Sequence, residues 1–536
     1  MSGNTTGTEN VAVGSASLEN TTTGSYNTAI GQGALYSNTS GQKNTALGDN
    51  ALYSNTTSNN CVAIGQAALE NNTGGNITAV GTKALQSLTT GYWNHAFGYE
   101  AGKSLTTAIG NTAIGYDALQ TNVTGNYNTA VGKSALANNT SQANVAVGFN
   151  ALSAAGNGNE NVGIGYEALG DVTSAQHNVA VGSLAGSNNT TGSSNVAIGQ
   201  AALSSNTTAN DNTAVGRHAL KASTTGNNNV AVGTFAGDSI TTGSRNTAIG
   251  PQAFAAATTA NDNIAIGYQA GDAMTSATSN VVMGVSAFTS GTSGSDNVVI
   301  GRNAGSAMTT ARRNTIIGYE AATSLTTSTA LENVCIGSDS ADEMTTGRYN
   351  TIVGNNSGHN LTTGQHNVFV GHSTVTAGGD EEKQIVIGTD ITSQGSYRFT
   401  FGRDGDRVHN QFNSNASWTR NSDERKKKDI LTNTDLGLDF INDLRTVTYK
   451  WKAPCDLPET MSGYNKDETE PSHKDKMYGF IAQEVKAALD KHSITDFNGW
   501  SEDKNGEQGV SYEMFVMPLV KAVQELSAKV TALEAA

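Results

Sequence analysis

Cysteine is nearly missing from this chain, with only Cys61, Cys335 and Cys455 in 536 residues. The count is odd and no pair has metal-ligand spacing, which argues against a disulfide framework or a cysteine-bound zinc and leaves packed free thiols as the expectation. A basic excess is missing too: the net charge of −15 argues against a nucleic-acid binder that relies on phosphate contacts. No apolar run is long enough to cross a membrane, and MSGNTTGTEN has no apolar segment of the kind a secretory signal needs. Neither membrane insertion nor conventional secretion is therefore expected. Paired carboxylates with convincing spacing are lacking in the first 388 residues, so no glycan-cleaving site is expected there. His359, His366 and His372 lie close in sequence without a His-x-His pattern, and no metal or cofactor is expected.

Glycine is plentiful, at 61 residues, and much of it is periodic. A glycine preceded by a large apolar residue falls at 14, 31, 48, 65, 81, 98, 115, 132, 148, 165, 182, 199, 216, 233, 250, 267, 284, 301, 318, 337, 354, 371 and 388. Of the 22 intervals, two are 16, one is 19 and the rest are 17 residues. Despite the chain's polarity, apolar positions this regular exclude disorder and imply stacked identical units.

One unit, Asn195 to Leu203 (NVAIGQAAL), serves for all. With the glycine as position 0, position −1 is large and apolar (Val13, Ile30, Phe97, Ile387), and −2 is mostly Ala in the first sixteen copies. Neighbours on a strand point to opposite faces, so this pattern predicts a strand buried on both sides. Asn recurs at −4 (Asn27, Asn111, Asn195, Asn263, Asn350), where stacked amides can form a ladder. The repeat glycine and the glycine of TTG (Gly24, Gly243, Gly347) suit corners needing positive φ. A repeat of this length leaves no room for a useful helix, which points to a β-solenoid or β-roll roughly 110 Å long at about 4.8 Å per coil.

Position −2 enlarges late in the series, to Val282, Val299, Ile316, Cys335, Ile352, Phe369 and Val386. That trend suggests a face turned toward a symmetric axis of several chains, with a homotrimer expected.

Residues 1–388 hold 12 Lys/Arg and 22 Asp/Glu, whereas the last 148 residues hold 43 charges, a shift that marks a domain boundary. The expected organisation is a repeat shaft over 1–388, a β-rich neck over 389–421 around a turn at Asp404-Gly405, and a small α+β domain over 422–536. That domain ends in a coiled-coil-like helix over 512–536. In the helix Val516, Leu519, Val523, Leu526, Val530 and Leu533 follow the 3-4 spacing of an associating seam.

Ser422-Asp423-Glu424-Arg425 followed by Lys427 and Ile430, then Gly479-Phe480-Ile481-Ala482-Gln483-Glu484 and the terminal helix, resembles the endosialidase-type intramolecular chaperone domain of the S74 peptidase family. The resemblance covers roughly the last fifth of the chain. It implies a domain found at the end of phage tail fibres and spikes, which assembles three chains, promotes folding of the preceding shaft and is then removed. It further implies Ser422 as nucleophile, Lys427 as its base and Asn421–Ser422 as the cleaved bond, with Asp423, Arg425, Gly479, Phe480, Ala482, Gln483 and Glu484 as the remaining motif residues. Lys426 stands where that family usually carries an apolar residue. Such self-cleavage is at most single-turnover, with no activity on other substrates. The shaft more loosely resembles the β-roll heads of trimeric autotransporter adhesins, which also repeat Asn-x-Ala-Ile-Gly.

The resulting expectation is a homotrimeric phage tail fibre, made in the host cytoplasm and carried on the virion. Its partners would be itself, other virion tail proteins and a host surface receptor such as polysaccharide. Tyr99, Tyr116, Tyr166, Tyr268 and Tyr319 all stand at +1 and are candidate glycan contacts, although packing at a corner is the stronger reading of them. The alternatives are a trimeric cell-surface adhesin and a fibre whose last domain stays attached as a clamp.

Overall fold

The computed structural model describes every residue except 1–2, 155, 328, 404–405, 412–418, 421–423, 425–426, 460, 462–463, 472–473 and 504–505. The chain divides into two compact units, Met1–Asn421 and Ser422–Ala536.

In the first unit each repeat is one coil of a β-solenoid. Twenty-one three-residue strands, β1 (Val11–Val13) to β21 (Thr351–Val353), are followed by β22 (Val368–His372) and β23 (Ile385–Thr389). Each pairs in parallel with the next, one repeat on, as in Ala180↔Ala197 and Ala197↔Ala214. Strands this short have no stability alone, so the ladders between coils and the interior must hold them.

In the coil around Gly199, the side chains of Asn195 (−4), Ala197 (−2), Ala202 (+3), Leu203 (+4), Asn206 (+7) and Ala209 (+10) are buried. The −4 asparagines form the expected ladder. The Asn229 N–H donates to Asn212 Oδ1 at 2.9 Å, its Nδ2 donates to the Gly243 carbonyl at 2.9 Å, and its Oδ1 accepts the Asn246 N–H at 3.0 Å. One amide thus satisfies buried backbone groups in two coils. Asn229→Ala would orphan the Asn246 N–H and the Gly243 carbonyl, at about 1–3 kcal/mol each. We expect faster amide hydrogen exchange in the coils around 229–246 and unchanged protection several coils away; uniform protection along the shaft would refute the ladder's role.

The glycines divide into two kinds. Repeat glycines have φ near +135°, and a Cβ on Gly216 would meet the Gly233 carbonyl oxygen at 2.5 Å. Gly24, Gly243 and Gly347, expected at positive φ, do not have it. They are needed for close approach instead: a Cβ on Gly24 would lie 2.5 Å from the Gly41 carbonyl oxygen. The left-handed corners fall largely on other residue types, at +2, +4 and +12, as at Ala201, Leu203 and Asp211.

Two expectations about the strand are corrected. Only its −2 side is buried within the chain; the −1 residues face outward, with Ile30, Phe97, Ile198 and Ile387 about 40% exposed (38, 43, 39 and 42%). The enlarging −2 series, Val282 to Val386, is fully buried inside its own coils and does not face an axis between chains. Room for it comes mainly from the opposite wall, where +4 shrinks from Leu in most early coils to Gly305, Ala322, Ala341 and Gly358. A Cβ on Gly358 would meet Ile352 Cδ1 at 3.0 Å. Positions +4 and +7 trade volume in the same way: Phe288 sits with Gly291, and Met308 with Gly305. The interior holds its packing by such exchanges.

The stack continues one rung past the last period. β24 (Arg398–Arg403) pairs in parallel with β23, bringing Gly402 beside Gly388, and β25 (Asp406–Gln411) and β26 (Thr419–Arg420) then run antiparallel. The turn expected at Asp404-Gly405 lies outside the described residues. Where the asparagine ladder ends, Gln384 N–H still donates to Asn367 Oδ1 at 3.0 Å. Beside it Glu381 Oε2 accepts the hydroxyls of Thr376 (2.7 Å) and Ser393 (2.9 Å).

The second unit contains α1 (Leu438–Asp443), the antiparallel pair β27 (Val447–Tyr449) and β28 (Met477–Gly479), α2 (Ala482–Lys491), the pair β29 (Trp500–Glu502) and β30 (Gln508–Val510), and α3 (Val516–Glu534). Its core is Phe440, Val485, Ala488, Leu489, Ile494 and Phe515. Pro518 falls in the first turn of α3, where a backbone N–H has no intrahelical partner to lose.

Candidate functional site

In the second unit, Gly479 closes β28 against Val447. A Cβ there would lie 2.1 Å from Tyr512 Oη, so glycine admits the phenol, and Tyr512 Oη accepts the Phe480 N–H at 3.1 Å. The Phe480 ring stacks on Tyr512 (centroids 5.7 Å apart) and tilts against Phe515 (5.1 Å). Ala482 begins α2, and Glu484 in its first turn holds the Arg445 guanidinium with both carboxylate oxygens. That pair holds the Glu484 carboxyl below the usual carboxylate range. Gln483 is exposed. Four of the five motif residues in this segment therefore build the unit, and Gln483 alone points its amide outward.

The proposed catalytic pair is divided by what the structure describes. Asn421, Ser422, Asp423 and Arg425 lie outside the described residues. Lys427 closes a turn through its N–H on the Glu424 carbonyl (2.9 Å), and its side chain is exposed. A lysine becomes a base through burial among apolar or cationic groups, and the exposed Lys427 side chain belongs to a single chain without its partners.

Helix α3 carries the expected seam. Val516, Leu519, Val523, Leu526, Val530 and Leu533 are all exposed, Leu533 to 76%. The helix does meet the unit: Phe515, the residue just before it, joins the core, Ala522 is buried, and Glu525 accepts the Leu438 N–H at 2.8 Å.

On the shaft, the +1 tyrosines form an exposed line whose ring faces are partly taken up by neighbours. Tyr99 stacks on Tyr116 (5.2 Å, 13° between planes) and Tyr166 on Phe149 (5.5 Å, 9°). Lys133 Nζ stands 5.7 Å from both the Tyr116 and the Phe149 rings, and the Arg302 guanidinium lies 5.9 Å over Tyr319. Hydrogen bonds to Glu100, Glu167 and Glu320 raise the pKa of the Tyr99, Tyr166 and Tyr319 phenols. Tyr268 is exposed at the same register.

The three clustered histidines go to separate partners. His359 Nδ1 is 2.7 Å from Asp342, His366 stacks on Tyr349 (4.8 Å), and His372 Nδ1 is 3.1 Å from Asp390. Among the described residues no group of three or more His, Cys, Asp or Glu could hold a metal ion, and no helix is long and apolar enough to cross a membrane. Cys61 and Cys335 are buried free thiols in register, pushed up by burial to about 11 and about 12.

Residues 422–494 match the model of the S74 peptidase family, described as chaperone of endosialidase. Comparisons with curated proteins and with solved structures give no match. The matched segment starts at the first residue of the second compact unit and includes both halves of the motif. A long β-solenoid shaft followed by such a segment fits a tail-fibre-like protein with a C-terminal chaperone domain.

Proposed function

We propose that this tail-fibre-like chain is the shaft and assembly domain of a homotrimeric phage tail fibre. Its last unit would align three chains, promote folding of the solenoid and then cut itself off between Asn421 and Ser422. The observation that carries the reading is the order of parts: a stack of 23 periodic coils followed at residue 422 by the chaperone-family segment. The open seam of α3 supports association, since a 3-4 apolar stripe with this exposure is ordinarily covered by partner helices.

In the cleavage step Lys427 takes the Ser422 hydroxyl proton, and Oγ attacks the Asn421 carbonyl carbon. The peptide nitrogen leaves as the free amine of Ser422, and water hydrolyses the resulting ester. The exposure of Lys427 makes this chemistry conditional on assembly, because partner chains would have to supply the enclosure a basic lysine needs. A monomer would then be a protected precursor. The mature shaft would join other virion tail proteins and meet a host surface polysaccharide by repeated weak contacts.

Intact mass and gel mobility before and after boiling test the reading. Wild-type protein is expected to lose the segment after Asn421 and leave a detergent-resistant trimer, whereas Ser422→Ala keeps the full-length chain and still trimerises. Full-length chains in both would make the unit a permanent clamp, and monomers in both would remove the fibre reading.

A further inference from the structure

The outward positions +2, +5 and +6 border a groove along one side of the shaft. At +5 most coils carry a side chain long or polar enough to fill it, such as Tyr36, Tyr53, Gln86, Lys103 and Lys221. At Ala255 it is cut back to a methyl group, and a notch of about 280 Å³ opens between Asp238 in the coil before and Asp272 in the coil after.

Three features of this notch fit together. Phe235 lines it, and one face of that ring is already covered by the Arg217 guanidinium at 4.5 Å from the preceding coil. The His218 ring meets it nearly at right angles as well, with centroids 5.1 Å apart, and the remainder of the Phe235 ring borders the notch. Asp238 brings a carboxylate to the notch, and its Oδ1 is buried and accepts no hydrogen bond among the described residues. Burial raises the pKa of both Asp238 and Asp272, while Lys221 and His218 partly offset it for Asp238. Gln252 adds an amide at the rim.

The two acidic residues are two coils apart, roughly 10 Å at about 4.8 Å per coil, too far to share one cation at about 2.3–2.6 Å per ligand. An anionic ligand would meet two carboxylates. A ligand with a flat apolar face and several hydroxyl donors meets none of these objections.

We propose that the notch is a carbohydrate subsite for an uncharged pyranose, laid against Phe235 with its hydroxyls donating to Asp238 and Asp272. This rests on the adhesive reading above and gives it a location away from the tyrosine line. The same groove opens again at Gly170, beside Glu167 and Asp171, five coils away. That second opening has no aromatic ring in its lining and offers polar contacts along the groove, roughly 24 Å away, rather than a second stacking site.

The test uses the full chain on arrayed neutral hexose and N-acetylhexosamine oligomers, beside sialic- and uronic-acid oligomers. Ala255→Tyr fills the notch with a side chain that the same register already accepts at Tyr36 and Tyr53, so the fold should survive. Retention on neutral oligomers is expected to fall at least tenfold in Ala255→Tyr and in Asp272→Asn, and to be unchanged in Ser306→Tyr, the same substitution two coils beyond Asp272. The proposal is overturned by no retention of neutral oligomers, by equal retention of acidic ones, or by full retention in Ala255→Tyr. Ala255→Tyr protein that still adheres to host cells as wild type does would sink the subsite while leaving the adhesive fibre standing; wild-type protein that adheres to no cell would sink both.

Discussion

Gly216→Ala is expected to cut the cooperative rod in two. Gly216 has φ +135°, and a methyl group there would lie 2.5 Å from the Gly233 carbonyl oxygen and 2.7 Å from its carbon. The strain of such a backbone on an L-residue is about 1–3 kcal/mol. The contact adds to it, because backbone paired on both sides has no flexible end to swing away. A loss of at least about 4 kcal/mol is expected at that junction. In a stack where each coil touches only its neighbours, the damage stays local. The measurable outcome is a second, earlier thermal transition and new proteolytic cuts near residue 216, with coils far from it still protected. Ala202→Gly, which removes a buried methyl group in a neighbouring coil, should produce no split transition. An unsplit melt in Gly216→Ala would mean that the coils can separate enough to admit a methyl group, and the close approach would not be limiting.

The difference between those substitutions also explains what the sequence discloses. Gly216 and Asn229 recur at fixed register because each makes a contact no other residue makes so well, and such contacts are visible as letters. Leu, Phe, Met, Ile and Ala at +4 and +7 instead satisfy a joint volume, so neither position is regular alone. That is why the late enlargement at −2 reads as a widening axis when it is an internal exchange with Gly305, Ala322 and Gly358. The two strand faces fail for a related reason. An apolar residue that faces its own core and one that faces outward look alike in sequence, and Ala197 beside Ile198 does not say which is inside. In this coil the small one is inside because Leu203 already fills the opposite wall. In the second unit the aromatic and glycine letters of the GFIAQE segment are legible as packing once Tyr512 and Phe515 are in place. The notch at Ala255 went unread because its signal is one small side chain between Asp238 and Asp272 at +5, a register that also holds Ala137 and several serines.

Ile198→Glu separates a lone rod from an assembled one. Taken as a single chain, the shaft has Ile198 on its outer sheet surface at 39% exposure, where a carboxylate is solvated and the expected change is within about 0.5 kcal/mol. In the proposed trimer the same outer face, with −1 aliphatics in coil after coil, is the surface that three chains would bring together, and the −2 face within each coil is unavailable for it. Three glutamates at one level would then meet near the axis, desolvated and of like charge, at several kcal/mol each. Crowding and burial raise such carboxyl pKa values, so the folded assembly takes up protons more readily than the unfolded chains. Stability lost at neutral pH should therefore return as pH falls through the raised values toward the ordinary carboxylate range near 4.3. The expected result is a markedly lower melting temperature at pH 7, with weaker detergent resistance, and recovery toward wild type in acid. Wild-type behaviour at pH 7 would place Ile198 in water in the assembled protein and transfer the interface to another side of the shaft.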